Sequence, residues 1–181
     1  MKYELHITVE GESDKALVAR FQDYCIASQL CKSNLIALSS GIYTPQLMLA
    51  KKTTFDSDDA AIEWGMRISE AIASEGFKPT RIKVESPLTE GLSAYYESHF
   101  KFRSGTPVTF GGFLKSNNVL HDGIHYLSLR HYVVGDVAGA FAKFESGKVT
   151  TSKVPSFEGC HYERVIIDTN PQIDSGWVPE A

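Results

Sequence analysis

The sequence is short of cysteine, of long hydrophobic runs and of basic charge, and each shortage excludes a class of protein. Its three cysteines, an odd number, cannot complete a disulfide framework, and they show no metal-type clustering. No stretch approaches the roughly 18 apolar residues of a membrane-spanning helix. The formal net charge of −4 at pH 7 does not favour general binding to nucleic acids or to membrane surfaces.

Recognisable catalytic and cofactor motifs are also missing. The chain contains no GxGxxG, P-loop, GxSxG, HExxH or CxxC pattern, which removes support for most nucleotide-dependent and zinc-protease interpretations. Its first residues alternate from Tyr3 onward and lack the apolar core of a signal peptide. The sequence therefore predicts a protein of the reducing cytoplasm that uses no cofactor.

What the chain does contain is an ordinary globular composition, with 43% hydrophobic and 22% charged residues, arranged in regular elements. Residues 1–90 predict the order β-α-β-β-α-β, because strands with period-two alternation flank two amphipathic stretches. The clearest helix has acidic residues at its start, near Asp58, and a glycine stop at Gly76. This order is that of the ferredoxin-like split βαβ unit.

The second half repeats this order in a shortened form, with its second helix predicted from Asp136 and its last strand predicted as RVIID at residues 164–168. The stretch YELHITV, which begins at Tyr3, recurs as YESHFKF from Tyr96. Segment 104–124 is interrupted by glycine and proline, so it predicts a loop or a single turn where the first copy has its first helix. The C-terminal tail predicts an extended arm. The predicted fold class is therefore α+β, with tandem ferredoxin-like (βαββαβ) units at 1–90 and 91–181 forming one two-lobed protein.

The repeated stretch supplies the candidate functional residues of the first copy. Side chains alternate along a strand, so the apolar positions that begin at Tyr3 should face the helices. Glu4, His6 and Thr8 should then lie on the opposite, open face of the sheet. Two such copies are expected to meet around a pseudo-two-fold axis, either with their open faces together or edge to edge, which makes His6 and His99 symmetry mates.

The second copy adds further polar residues to the same surface. By the same alternation, His99 and Lys101 should lie on its open face, beside Ser128 and Arg130 of a neighbouring strand. A groove with these groups predicts the binding of a small anionic or phosphorylated ligand. One histidine would accept a proton while the other donates one. The hydroxyl and basic side chains, together with Thr8, would hold the anion.

One of these elements resembles a known signature. The stretch HITV from His6 has the form His-x-Thr-apolar, which is similar to the motif repeated in the 2H phosphoesterases. The second element is HFKF from His99, with Lys101 where the family has Thr or Ser. The resemblance covers these two short elements and an organisation into two related lobes. It implies metal-free chemistry on cyclic phosphates or RNA ends, with His6 and His99 as the catalytic pair.

Two alternatives use the same residues differently. Glu-x-His occurs twice, at Glu4 and His6 and again at Glu97 and His99, and two carboxylates with two imidazoles suit Zn²⁺, Mn²⁺ or Fe²⁺. Ligands two residues apart on a strand are separated by about 7 Å, however, so one ion rarely collects all four. Alternatively, the protein is a non-catalytic interaction module in which the paired histidines stabilise the contact between the two repeats.

Overall fold

The fold is seen in a computed structural model. It describes residues 1–11, 13–28, 32–36, 46–89, 91–103, 115–121, 124–131 and 156–174. The first half contains four strands and two helices: β1 (Lys2–Val9), α1 (Lys15–Ala27), β2 (Lys32–Ile36), β3 (Gln46–Thr54), α2 (Asp58–Ser74) and β4 (Pro79–Pro87). The second half contributes β5 (Tyr95–Arg103), β6 (Lys115–His121), β7 (Ile124–His131), β8 (Ser156–Asp168) and a 3-10 helix (Pro171–Asp174).

Both helices begin where a side chain satisfies their first backbone amides. The carboxylate of Asp14 accepts hydrogen bonds from the amides of Ala16 and Leu17, which caps α1. The hydroxyl of Ser57 accepts one from the amide of Ala60 and caps α2. After α2 the chain turns at Gly76, whose φ of 79° is the left-handed conformation that glycine adopts without strain.

The strands form one antiparallel sheet in the order β2-β3-β1-β4-β8-β5-β7-β6. The first six elements therefore have the connectivity and strand order of a split βαβ unit, and the α+β class is confirmed. β4 pairs with β8, from Lys83 opposite Asp168 to Pro87 opposite Glu163. This pairing, called the central seam below, joins the two halves edge to edge through backbone hydrogen bonds.

The hydrophobic core lies between the sheet and the two helices. The alternate residues Tyr3, Leu5, Ile7 and Val9 of β1 are all buried in it, as the alternation of the first stretch predicts. Gly65 of α2 permits close contact, because a Cβ there would lie 3.1 Å from the side chain of Leu5. The sequence pattern thus determines which face of the sheet the helices cover.

A buried arginine connects α2 to the second half on this helix-covered side. The guanidinium of Arg164, on β8, donates two hydrogen bonds to Asp58 at 2.8 and 2.9 Å. It also donates to the hydroxyl of Ser86 at 3.1 Å and to the carbonyl of Leu92 at 3.0 Å. The Asp58 carboxylate accepts a further hydrogen bond from the hydroxyl of Tyr3. These contacts tie the start of α2 to β1, β4 and β8.

The second half departs from the prediction in three places. Within segment 104–124, residues Lys115–His121 form strand β6 rather than a loop or turn, because their backbone pairs with β7. β8 begins at Ser156, well before the predicted strand RVIID, since its first residues pair with β5. In the tail, Pro171–Asp174 form a 3-10 helix with Ile173 buried, and the rest of the predicted extended arm, residues 175–181, lies outside the described residues. The helix expected from residue 136 lies outside the described residues.

The two helices that the structure describes do not reach the length and apolar character of a membrane span.

Candidate functional site

The sheet face opposite the helices carries a continuous array of polar side chains around the central seam. Registers of Glu4 opposite Glu85 and of His99 opposite His161 bring residues of both halves to this face, because side chains alternate along each strand. The face is called the polar face below. It includes Glu4, His6, Lys52, Lys83, Glu85, Glu97, His99, His161 and Glu163.

In the first half, one histidine lies between two carboxylates. Nε2 of His6 is 2.8 Å from Oε2 of Glu85 and 3.6 Å from Oε1 of Glu4. Burial would raise the pKa of the Glu85 carboxyl, but the charges of Lys83 and His6 outweigh it and hold this pKa well below its ordinary value. Glu4 also pairs with Lys52 at 2.8 Å. We call Glu4, His6 and Glu85 the first cluster.

In the second half, the same arrangement recurs around His99. Its Nε2 lies 3.4 Å from Oε2 of Glu97 and 3.2 Å from Oε2 of Glu163. Burial would lower the pKa of His99, but the hydrogen bond to Glu163 and the charge of Glu97 raise it above its ordinary value. His161 reaches the other oxygen of Glu163 at 2.7 Å. We call Glu97, His99 and Glu163 the second cluster.

The two clusters match position by position. In each, the histidine contacts the glutamate two residues earlier on its own strand and a glutamate on the adjacent strand. Lys83 connects them: its ammonium donates to Glu97 at 2.6 Å and forms an ion pair with Glu85. Burial would lower the pKa of Lys83, but the charges of these two carboxylates raise it well above its ordinary value. A buried cation thus bridges the central seam.

A second network lies beside the clusters on the polar face. The guanidinium of Arg81 donates two hydrogen bonds to Asp168, at 2.9 and 2.6 Å, and the hydroxyl of Tyr95 donates to the same carboxylate. Burial raises the pKa of the Tyr95 hydroxyl above its ordinary value. Thr8 is opposite Arg81 in the β1–β4 register and is 1% exposed. Its hydroxyl has no hydrogen-bond partner among the described residues.

The predicted site residues fall in two groups. His6 and His99 share the polar face, but β4 and β8 lie between their strands, which separates the two backbones by three strand spacings, or about 14 Å. Ser128 is opposite His99 in the β5–β7 register, and Arg130 is opposite Glu97. Lys101 follows on β5, opposite Tyr126. Thr8, in contrast, belongs to the first half of the face.

Sequence analysis missed the residues that complete the two clusters. Glu85, Glu163 and His161 were not predicted as site residues. Glu85 contacts His6, Glu163 contacts His99, and His161 contacts Glu163. One signal was available: in RIKVE the charged residues alternate, so Arg81, Lys83 and Glu85 share a face. Their burial depends on the central seam, which no local pattern reveals.

Three side chains of the polar face together have the chemistry to bind a metal cation. One ligand atom each from Glu85, Glu97 and His99 lies within 4.8 Å of the others. The two carboxylates are buried and the imidazole is 25% exposed. The ammonium of Lys83 supplies the positive charge that balances the carboxylates of Glu85 and Glu97. Carboxylate and imidazole together are the donor set of several first-row transition metals.

Comparison of the chain with models of protein families, with curated proteins and with solved structures finds no match.

Proposed function

We propose that the protein is a non-catalytic binding protein made of two fused ferredoxin-like halves, and that its two histidine–glutamate clusters, one in each half and joined by Lys83 across the central seam, hold the halves together as one sheet. The observation that carries this proposal is the repetition of the clusters. Each histidine contacts two glutamates in matching positions, and Lys83 links one cluster to the other across the central seam. A repeated polar arrangement at the joint between halves supports a role in their association.

The strand order supports the duplication on which this proposal depends. From one outer edge to the central seam the sheet has the order β2-β3-β1-β4, and from the other edge it has β6-β7-β5-β8. In each half, the strand that carries the Tyr-Glu-x-His stretch thus lies between the strand at the central seam and the strand next to the outer edge: β1 lies between β4 and β3, and β5 lies between β8 and β7. This agreement, together with the repeated sequence, supports an internal repeat with His6 and His99 as symmetry mates.

The surroundings of the two histidines favour a structural role over acid–base chemistry. A general acid and a general base must both come within hydrogen-bond reach of one substrate, and here the Glu85 carboxylate lies beside both imidazoles, 2.8 Å from Nε2 of His6 and within 4.8 Å of a ring nitrogen of His99. Each imidazole also contacts two carboxylates. Negative charge next to the imidazoles disfavours a phosphate ligand there.

The test compares His6→Ala and His99→Ala with the control Lys78→Ala, because the side chain of Lys78 is 73% exposed and pairs with Glu10 outside both clusters. We expect His6→Ala and His99→Ala each to lose about 1–3 kcal/mol of unfolding free energy in urea, because each leaves carboxylates with fewer partners. The control should lose less than about 0.5 kcal/mol. None of the proteins should hydrolyse 2′,3′-cyclic nucleotides. Wild-type hydrolysis that disappears in both variants, or variants as stable as the control, would contradict the proposal.

A second candidate function is the binding of a small phosphorylated or otherwise anionic ligand, with His6 and His99 as acid and base. The observation that favours it is the β5–β7 register, in which Ser128 lies opposite His99 and Arg130 opposite Glu97. Arg130 would hold the anion together with Lys101, and Thr8 would do so in the first half. Calorimetric titration with 2′,3′-cyclic AMP tests it: binding that Arg130→Gln abolishes would support this function, and no heat of binding would end it.

A further inference from the structure

We propose that the polar face binds one divalent transition-metal ion through Glu85, Glu97 and His99, at the place where the ammonium of Lys83 meets the two carboxylates. This site goes beyond the structural role proposed above, since it adds a ligand of defined chemistry. It differs from the sequence-based Glu-x-His alternative in its donors, because Glu85 comes from the neighbouring half of the sheet.

The distances support a single ion. Two donor atoms on one tetrahedral metal lie about 3.3 Å apart when the metal–ligand bonds are about 2.0 Å. Nε2 of His99 is already 3.4 Å from Oε2 of Glu97. The whole donor set lies within 4.8 Å, so the remaining closure is at most about 1.5 Å, which side-chain rotation of a glutamate supplies.

The burial of the carboxylates supports a bound cation as well. Glu85 is 2% exposed and Glu97 is 3% exposed, and buried carboxylates are costly unless a cation or hydrogen bonds compensate them. Oε1 of Glu85 meets the ammonium of Lys83 as an ion pair and has no other partner among the described residues. An ion with two positive charges would compensate both carboxylates and use this oxygen.

A further carboxylate and a route from solvent lie beside His99. Oε2 of Glu163 is 3.2 Å from Nε2 of His99, which is again close to the spacing of two donors on one ion. His99 is 25% exposed and the neighbouring His161 is 58% exposed. A metal ion can therefore reach the buried carboxylates along the imidazoles. Imidazole with carboxylates favours Zn²⁺, Mn²⁺ or Fe²⁺ over Ca²⁺.

Lys83 makes the proposal sharply testable, because a metal ion must displace its ammonium. If the two cations compete for the same carboxylates, removing Lys83 should strengthen metal binding. Lys52 is the matched control, since it forms an ion pair on the same face with Glu4 but, among the described residues, none with Glu85, Glu97 or His99. A merely adventitious surface site would not distinguish these two lysines.

The experiment titrates Zn²⁺ into the full-length, chelator-treated protein in a calorimeter and records the Co²⁺ absorption spectrum as a second readout. Wild type should bind one ion, and His99→Gln should bind at least about tenfold more weakly. Lys83→Met should bind at least about tenfold more tightly than wild type, and Lys52→Met, which removes only an exposed charge, should differ from wild type by less than about threefold. Circular dichroism verifies folding; the gain expected for Lys83→Met cannot arise from misfolding.

Three results would overturn the inference. Wild-type protein that takes up less than one equivalent of both metals has no such site. Equal binding by His99→Gln and wild type places the ion elsewhere. Equal affinities of Lys83→Met and Lys52→Met mean that the metal and the Lys83 ammonium do not share the carboxylates of Glu85 and Glu97.

Discussion

Replacing Arg164 with methionine should lower the unfolding free energy by about 3 kcal/mol. Arg164 is 1% exposed and donates four hydrogen bonds, two to Asp58 and one each to Ser86 and Leu92. Removing one partner of a buried ion pair costs about 3–5 kcal/mol. Because the side chain of Asp58 is 30% exposed, water can rehydrate its carboxylate after the substitution, and we expect the lower end of this range.

The assay is urea unfolding at pH 7, followed by far-ultraviolet circular dichroism, with Arg67→Met as the matched control. Arg67 is an exposed arginine of α2, so its replacement should change the unfolding free energy by less than about 0.5 kcal/mol. The double variant with Asp58→Asn should show a coupling of about 1–3 kcal/mol. If Arg164→Met is no less stable than the control, or the coupling is absent, the guanidinium does not hold α2 to the second half.

Three further predictions concern charge and polarity. Burial would raise the pKa of Asp58, but hydrogen bonds from Arg164 and Tyr3 lower it below its ordinary value of 3.8. The ionised Asp58 therefore contributes its full stabilisation at pH values above this ordinary pKa. The stabilisation is lost as the pH falls through the lower pKa that Asp58 has in the folded protein. Unfolding measured at intervals between about pH 4 and pH 2 should show a smaller loss for Asp58→Asn than for wild type, and equal slopes would refute this. In the presence of chelator, Lys83→Met should lose about 3–5 kcal/mol, because it leaves two buried carboxylates without their cation. Lys52→Met, whose side chain is 75% exposed, should lose less than about 1 kcal/mol in the same urea titration, and similar losses would contradict the buried bridge. Thr8→Val should be neutral or stabilising in thermal unfolding, because the buried hydroxyl has no partner among the described residues; a loss above about 1 kcal/mol would reveal a hydrogen bond.

The parts of the fold that local patterns encode were predictable. Period-two alternation in β1 identified the buried positions Tyr3, Leu5, Ile7 and Val9, since a strand that faces helices on one side must alternate. Capping residues and the glycine stop similarly predicted the start and end of α2, which spans Asp58–Ser74. These features depend on residues that are close together in the sequence, so a single sequence is enough to predict them.

The completion of the site was not predictable in the same way. Glu85 and Glu163 meet the histidines only because β4 pairs with β1 and β8, and β8 pairs with β5. Such pairing joins strands that are far apart in sequence, and alternation along a strand carries no information about its partner. The register shift between Val84 and Glu85 in the β4–β8 pairing adds a local change of alignment that no sequence pattern indicated.

The central seam also bears on the tendency of the protein to aggregate. A split βαβ unit by itself exposes an outer strand at each end of its sheet, and unpaired strand edges are templates for association with other chains. Pairing β4 with β8 covers one such edge from each half. The ends of the described sheet are then β2, which has five residues, and β6, which has seven. Fusion of the halves therefore removes two of the four sheet edges at which separate units could pair with other chains.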